Sequence, residues 1–171
     1  NHHHCHGIST FRLQTAKGAE HGFVIIAVDW WGMSEDDRGP LIAAISGPIH
    51  ETPRFIERTH QGMANALALG YAAKASFLDH DAFKLEGSPS FDPEHLYFLG
   101  ISQGHILGGV FVALSPLIHR AVLNGGGASL GFIMTRSRSF GIFEFVIDQV
   151  LESSQDTQAM LSLLGGALDP I

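Results

Sequence analysis

A Gly-x-Ser-x-Gly pattern occupies residues 100–104 and places Ser102 between two glycines. A short aromatic and aliphatic run precedes the pattern, and an apolar segment with helical spacing follows it, which predicts a strand, a tight turn and a helix. In such a turn the glycines let strand and helix approach closely, and the serine projects from the sheet edge at the positive end of the helix. Ser102 is therefore a candidate nucleophile.

Two other interpretations of the pattern stay open. A serine flanked by glycines also occurs by chance, and a glycine-rich turn from strand to helix also binds phosphate. The glycines at positions 100, 104, 108 and 109 fit neither the dinucleotide pattern G-x-G-x-x-G nor a P-loop that ends in lysine and a hydroxyl residue. Because a strand and a helix are predicted on either side, the pattern favours a nucleophile.

Composition limits the classes of function. The chain has 171 residues, of which 45% are hydrophobic and 16% charged, so it is long enough for one domain with a packed core. Its formal net charge of -7 provides no basic patch for a phosphate backbone, and we expect no nucleic-acid partner. No apolar run is long enough to span a membrane, and the N-terminus lacks the pattern of a signal peptide. We therefore expect a soluble chain with no membrane span.

The first seven residues contain four histidines and Cys5, the single cysteine of the chain. This cluster fits a metal site, the remnant of a tag, or the end of a strand whose His6-Gly7 turn lies beside the nucleophile. Neighbouring side chains of an extended segment point to opposite faces, which disfavours one tetrahedral site. We expect no metal and no cofactor. The chain starts at Asn1 and not at methionine, so we expect that upstream residues are missing.

The elements before the nucleophile are predicted from hydrophobic patterning. Residues 23–28 form a continuous aliphatic run, typical of a central parallel strand, and Asp29 follows at the edge where α/β proteins place their sites. The acidic residues 35–37 are predicted to form a solvated loop, and residues 38–51 a loop with one brief turn. A long amphipathic helix is predicted from Thr52 to about Leu78.

The later part of the chain completes an alternating order. Strands are predicted over residues 96–99 and 120–124, with a helix over 103–114 between them, and further helices near 142–150 and 160–164. This order predicts an α/β fold in which a parallel sheet has flanking helices and a helical C-terminal tail. We expect one domain over residues 1–171, with a sheet and helix core over 1–140 and a tail or cap segment over 141–171.

Taken together, three features resemble the α/β-hydrolase superfamily of esterases and lipases, from His6 to about Ser139. They are the elbow at residues 100–104, the D-x-x-G-x-S ending at residues 29–34, and the His6-Gly7 turn. The resemblance implies a partial or minimal hydrolase fold that cleaves small carboxylic esters through an acyl-enzyme on Ser102. It also implies that the backbone N–H groups of Gln103 and Ile8 form the oxyanion hole.

The chain departs from that family in its acid and base. The family places them after the nucleophile, in the order acid and then histidine, but no histidine here follows His119. The remaining candidates are His105, His119 and Asp148. One explanation is a partial chain whose acid and base lie outside it. The other takes a histidine from the upstream set, or from a second copy paired through exposed sheet edges; that set is His2, His3, His4, His6 and His21.

A different class of function also fits these departures. A hydrolase-like module without catalysis would bind a partner through its helical tail or an unpaired sheet edge, and its Ser102 would be unreactive. A metal-dependent hydrolase built on the N-terminal histidines is a further alternative. The leading prediction is a serine esterase, because the elbow pattern is the most specific signal in the chain.

Overall fold

The computed structural model describes residues 21–47, 52–127, 130–151 and 153–168. Its elements are mostly helical, with two small two-stranded sheets. In chain order the helices are α1 (Arg38–Ser46), α2 (Thr52–Lys74), α3 (Ser76–Asp79), α4 (Gln103–Leu114), α5 (Leu130–Met134), α6 (Gly141–Val150) and α7 (Ser154–Leu168). The strands are β1 (Lys84–Leu85), β2 (Ser88–Pro89), β3 (Tyr97–Ile101) and β4 (Arg120–Asn124).

The predicted strand, helix and parallel strand are confirmed around Ser102. Strand β3 pairs with β4 in parallel, with Tyr97 opposite Arg120 and Ile101 opposite Asn124. Helix α4 connects them over the residues that the sequence predicts. The three elements follow one another directly in the chain, so local patterning is sufficient to specify this unit.

The two faces of the parallel sheet differ. Side chains alternate along a strand, so Phe98 and Gly100 lie on the face that α4 covers. The Phe98 ring is in contact distance of Phe111 of α4, with ring centroids 5.0 Å apart. The opposite face carries exposed apolar side chains, and we call these residues the open sheet face: Tyr97, Leu99, Ile101 and Val122.

The predicted central strand over residues 23–28 is wrong. The structure assigns no strand there, and Phe23 and Val28 remain about half exposed, at 53% and 45%. An apolar run becomes a strand only where a neighbouring backbone takes up its N–H and C=O groups, and β3 and β4 form the only ladder of their sheet among the described residues. Asp29 therefore does not follow a strand. The run at residues 23–28 contacts β3 through side chains, since the ring centroids of Phe23 and Tyr97 lie 6.0 Å apart.

The predicted loop over residues 38–51 is also wrong, because its first part forms helix α1. Gly39 and Pro40 suggest a break, but both lie in the first turn of α1. A proline is tolerated there, since the N–H that it lacks has no partner within the helix. Residues 48–51 lie outside the described ranges.

Helix α2 supplies the core beside the elbow. It begins at Thr52, as predicted, and regular helix ends at Lys74, with the short α3 continuing over the rest of the predicted span. Met63 and Ala66 on α2 are buried with Phe111 of α4. This cluster fixes α4 against α2, and α4 is the helix that directly follows Ser102.

The C-terminal helices form a second core. Phe140, Ile147 and Leu161 are buried together, and Leu41 of α1 packs against them. Ile147 and Leu161 are at most 1% exposed. Helix α6 therefore has a packing partner in α1, and α7 packs against α5 and α6. No helix formed by the described residues combines the length and apolar character needed to cross a membrane.

Candidate active site

Ser102 occupies the turn between β3 and α4 in a rare backbone conformation. Its φ is 56° and its ψ is -115°, and the residue is exposed. Its N–H donates to the carbonyl oxygen of Asn124 at 2.8 Å, which extends the β3–β4 pairing to the elbow. Sparsely populated conformations of this kind cost about 1–3 kcal/mol and persist only where the surrounding structure imposes them.

The close approach predicted for the elbow depends on Gly100. A Cβ atom at Gly100 would overlap the carbonyl of Gly104, in the first turn of α4. A Cβ atom at Gly104 itself would meet nothing within 4 Å. Only the first glycine of the pattern is therefore required sterically in this structure.

The start of α4 directs backbone donors toward the elbow. The carbonyl oxygen of Ser102 accepts from the N–H groups of His105 and Ile106, at 2.9 and 3.2 Å. Within the described part of the chain, the Ser102 hydroxyl makes no hydrogen bond that caps the helix. The first N–H groups of a helix have no partner within it, and that of Gln103 comes directly after the hydroxyl. The second predicted oxyanion donor, Ile8, lies outside the described residues.

His105 is engaged in a contact that does not suit a general base. The Gly126 N–H donates to its Nδ1 at 2.9 Å. In a neutral imidazole with Nδ1 as acceptor, the proton is on Nε2, so neither nitrogen is available to accept the Ser102 proton. A Cβ atom at Gly126 would overlap the His105 ring. The contact instead fastens α4 to the loop after β4.

His119 lies at the wrong end of the sheet for a base. It is exposed and directly precedes β4, whose first residue pairs with Tyr97 at the start of β3. Ser102 follows the last residue of β3. The two are therefore separated by the length of a five-residue strand, about 16 Å. The structure does not bring them together within one chain.

Asp148 links helix α6 to helix α7. This residue of α6 is exposed, and one of its carboxylate oxygens accepts from the Thr157 hydroxyl of α7 at 3.1 Å. The contact gives the carboxylate a role in packing α6 against α7.

The sequence interpretation missed Asp37. It was predicted to lie in a solvated loop, but it is 2% exposed, and this prediction is wrong. Its Oδ2 accepts from the Gly32 N–H at 2.7 Å, and from the N–H and hydroxyl of Ser34 at 3.1 and 2.6 Å. Its Oδ1 accepts from Nε of Arg58 at 2.8 Å. The spacing from Ser34 to Asp37 is a capping-box signal that could have identified it.

The environment of Asp37 favours its charged form. Burial alone raises the pKa of this carboxyl. The hydrogen bonds from the Ser34 hydroxyl, the Arg58 guanidinium and the Ser34 and Gly32 amides outweigh burial and hold the pKa below its ordinary value of 3.8. Asp37 is therefore a carboxylate at neutral pH.

One hydrogen bond joins this carboxylate's turn to the elbow. The Gln103 side-chain amide donates from Nε2 to the carbonyl oxygen of Met33 at 3.0 Å. Met33 lies between Gly32 and Ser34, the two residues whose amides bind Asp37. The D-x-x-G-x-S segment and the Gly-x-Ser-x-Gly elbow, far apart in the sequence, are thus in direct contact.

The metal alternative concerns the N-terminal histidines. Among them, no group of three or more His, Cys, Asp or Glu side chains is placed to hold a metal ion. The histidine cluster at residues 1–7 lies outside the described ranges. No protein-family model, curated protein or solved structure matches the chain.

Proposed function

We propose that this chain is a serine hydrolase of the α/β-hydrolase type that cleaves small carboxylic esters with Ser102 as nucleophile. The observation that carries the proposal is the backbone of Ser102, a non-glycine residue with φ of 56° between a parallel strand and a helix. That conformation exposes the hydroxyl at the sheet edge, as an activated nucleophile requires. The contact between Gln103 and Met33 supports the same interpretation, because it joins the two segments that resemble this family.

The chemistry proposed for this geometry is acyl transfer. The Ser102 oxygen attacks the ester carbonyl carbon, its proton passes to a general base, and the carbonyl oxygen becomes an oxyanion. The Gln103 N–H donates to that oxyanion, and one such fixed donor is worth about 3 kcal/mol of barrier. The C–O bond to the alcohol then breaks, the alcohol leaves with a proton, and water releases the acid from the acyl-enzyme.

The general base is proposed to be a histidine other than His105 and His119. His105 and His119 are not placed to receive the Ser102 proton, for the reasons given by their contacts and position. The upstream histidines of the same chain are one source of this base, and a second copy of the chain is the other. The two sources differ in how activity depends on protein concentration.

The test measures covalent labelling by a fluorophosphonate and hydrolysis of short-chain p-nitrophenyl esters. Ser102→Ala is expected to abolish labelling and lower kcat by about 1,000-fold or more. The matched control is Ser88→Ala, which removes an exposed serine hydroxyl from the β2 strand, and it should keep both signals. Equal activity of wild type and Ser102→Ala would overturn the proposal. Specific activity that falls on dilution would assign the base to a second copy.

A second candidate is a binding module without catalysis. The open sheet face favours it, since Leu99 and Val122 are 56% and 61% exposed on a surface that parallel sheets usually cover. It predicts a folded chain whose Ser102 does not react with the fluorophosphonate. Circular dichroism together with the labelling test separates the two candidates.

A further inference from the structure

The buried carboxylate of Asp37 is the centre of a small polar cluster. Both of its oxygens are occupied, by two amides and a hydroxyl of the 32–34 turn and by Arg58 of α2. Burying a carboxylate is costly unless it is hydrogen-bonded and paired, and here it is both. The Arg58 guanidinium also lies 5.3 Å from the ring centroid of Trp31, so it contacts the segment on either side of the turn.

The 32–34 turn, which is bound to the Asp37 carboxylate, presents the Met33 carbonyl to the elbow. The amides of Gly32 and Ser34 point at Asp37, and the carbonyl of Met33 between them accepts from the Gln103 side chain at 3.0 Å. Gln103 is the residue whose backbone N–H follows the Ser102 hydroxyl. Two successive contacts therefore separate the Asp37 carboxylate from the proposed oxyanion donor.

We propose that Asp37 is a positioning residue for the elbow, which fixes the Met33 carbonyl and through it the orientation of Gln103 beside Ser102. The inference rests on the proposed function for its catalytic consequence. Loss of the Asp37 contacts lets the turn move, the Gln103 side chain loses its acceptor, and the backbone donor is held less well. A donor that acts on the oxyanion affects kcat more than KM.

The charged residues around Asp37 show which variant is a suitable control for Asp37→Asn. Arg58 faces Asp37 directly. Arg54 lines a cavity between α1 and α2, and Asp37 and Arg58 line the same cavity. Glu35 and Asp36 precede Asp37 but are exposed, and Arg38 pairs with Glu35 at 4.0 Å. Asp36→Asn removes a neighbouring carboxylate without touching the turn, so it is matched to Asp37→Asn in charge and position.

The experiment is a double-mutant cycle on p-nitrophenyl ester hydrolysis and on the rate of fluorophosphonate labelling. Asp37→Asn and Gln103→Ala should each lower kcat by about 10- to 100-fold with little change in KM. Because they act through one contact, the double variant should be no slower than Gln103→Ala. Asp36→Asn should match wild type. Multiplicative losses, or wild-type activity in Asp37→Asn, would overturn the inference.

Two further measurements test the inference if Asp37→Asn does not fold or if wild type is inactive. Ser34→Ala removes one of the three turn donors to Asp37, and should show a smaller loss with the same non-additivity if Asp37→Asn does not fold. The amide resonance of Gln103 should shift in Asp37→Asn and not in Asp36→Asn. If wild type neither hydrolyses esters nor labels, the proposed function fails, and this resonance alone decides whether Asp37 positions Gln103.

Discussion

At the scale of single residues, Ser102 and Asp37 both depart from the usual preferences of their side chains. Ser102 has a backbone conformation that glycine adopts more easily, and Asp37 keeps a charge away from water. Each is held by contacts that other parts of the chain impose. The free energy of unfolding should therefore respond to substitutions there in directions that can be stated.

Replacing Ser102 by glycine should stabilise the fold relative to replacing it by alanine. Glycine adopts positive φ without steric cost, whereas alanine retains the Cβ atom. The free energy of unfolding of Ser102→Gly should therefore be about 1 kcal/mol higher than that of Ser102→Ala. Urea denaturation followed by circular dichroism measures the difference. Equal midpoints for the two variants would show that the elbow in solution is not strained at this residue.

The stability of the fold should fall in acid through Asp37. The pKa of this carboxyl is lower in the folded chain than its ordinary value of 3.8, so the stabilisation is present above that value and is lost as the pH falls through the folded pKa. Asp37→Asn should be less stable by about 2 kcal/mol at neutral pH, and the difference should shrink below about pH 4.

The test uses the difference in the free energy of unfolding between wild type and Asp37→Asn at each pH. Asp92 also has a lowered pKa, through the Glu94 amide and the His95 side chain, and contributes equally to both. Urea midpoints measured from neutral pH to about pH 3 provide the test. A constant difference across that range would show that Asp37 does not ionise as the structure indicates.

At the scale of elements, the packing of α4 on β3 depends on close approach. A Cβ atom at Gly108 would overlap the Phe98 ring, while one at Gly109 would meet nothing within 4 Å. The two glycines are adjacent in one helix but have different surroundings. They provide a matched pair for testing whether the helix lies where the structure places it.

Substituting alanine at these glycines should change stability in opposite directions. Gly108→Ala forces the Phe98 ring from its place against Phe111 and should cost about 1–3 kcal/mol. Gly109→Ala meets open space and improves helix propensity, so it should gain about 0.5–1 kcal/mol. Chemical denaturation measures both. A gain at Gly108 would contradict the close approach of α4 to β3.

The sequence predicted those elements whose signals are local. Strand β4 and helix α4 lie where the patterning places them, because each is specified by its own residues and by the turns beside it. Residues 23–28 did not form a strand, since strand formation needs a partner that no local pattern reveals. Helix α1 was hidden by Gly39 and Pro40, whose meaning depends on their position within a helix.

The candidate site was predicted in part for the same reason. The elbow at Ser102 has a compact motif, and its backbone follows the expected geometry. The role of Asp37 depends on Arg58, which is 21 residues away, and on a turn whose amides converge on one oxygen. The contact with Arg58 is set by packing and not by spacing in the sequence. Short acidic runs are usually solvated, so Asp37 resembled its exposed neighbours.

At the scale of the whole molecule, the helices formed by the described residues pack on one face of the β3–β4 sheet. Helix α4 packs on the face that carries Phe98, and the open sheet face presents Leu99 at 56% exposure. An apolar surface of this kind binds hydrophobic dyes and marks a place where another surface can pack. The formal net charge of -7 opposes nonspecific association of identical chains.

Adjacent substitutions on β3 should therefore separate dye binding from stability. Leu99→Thr should lower the fluorescence of bound anilinonaphthalene sulfonate and change stability by less than about 0.5 kcal/mol, because the side chain is exposed. Phe98→Ala should cost about 2–3 kcal/mol, since it removes a partly buried ring from the core. A large loss of stability in Leu99→Thr would show that something covers this face in solution.

The contact between Gln103 and Met33 also has a consequence for the order of folding. All the residues of β3, α4 and β4 lie within residues 97–124, so this unit forms from contacts that are near in sequence. The contact to Met33 spans 70 residues and must wait for a much larger loop to close. We expect Ser102 to adopt its backbone conformation in the local unit first. The 32–34 turn then docks onto the elbow as a later step, and substitutions in that turn should mainly speed unfolding.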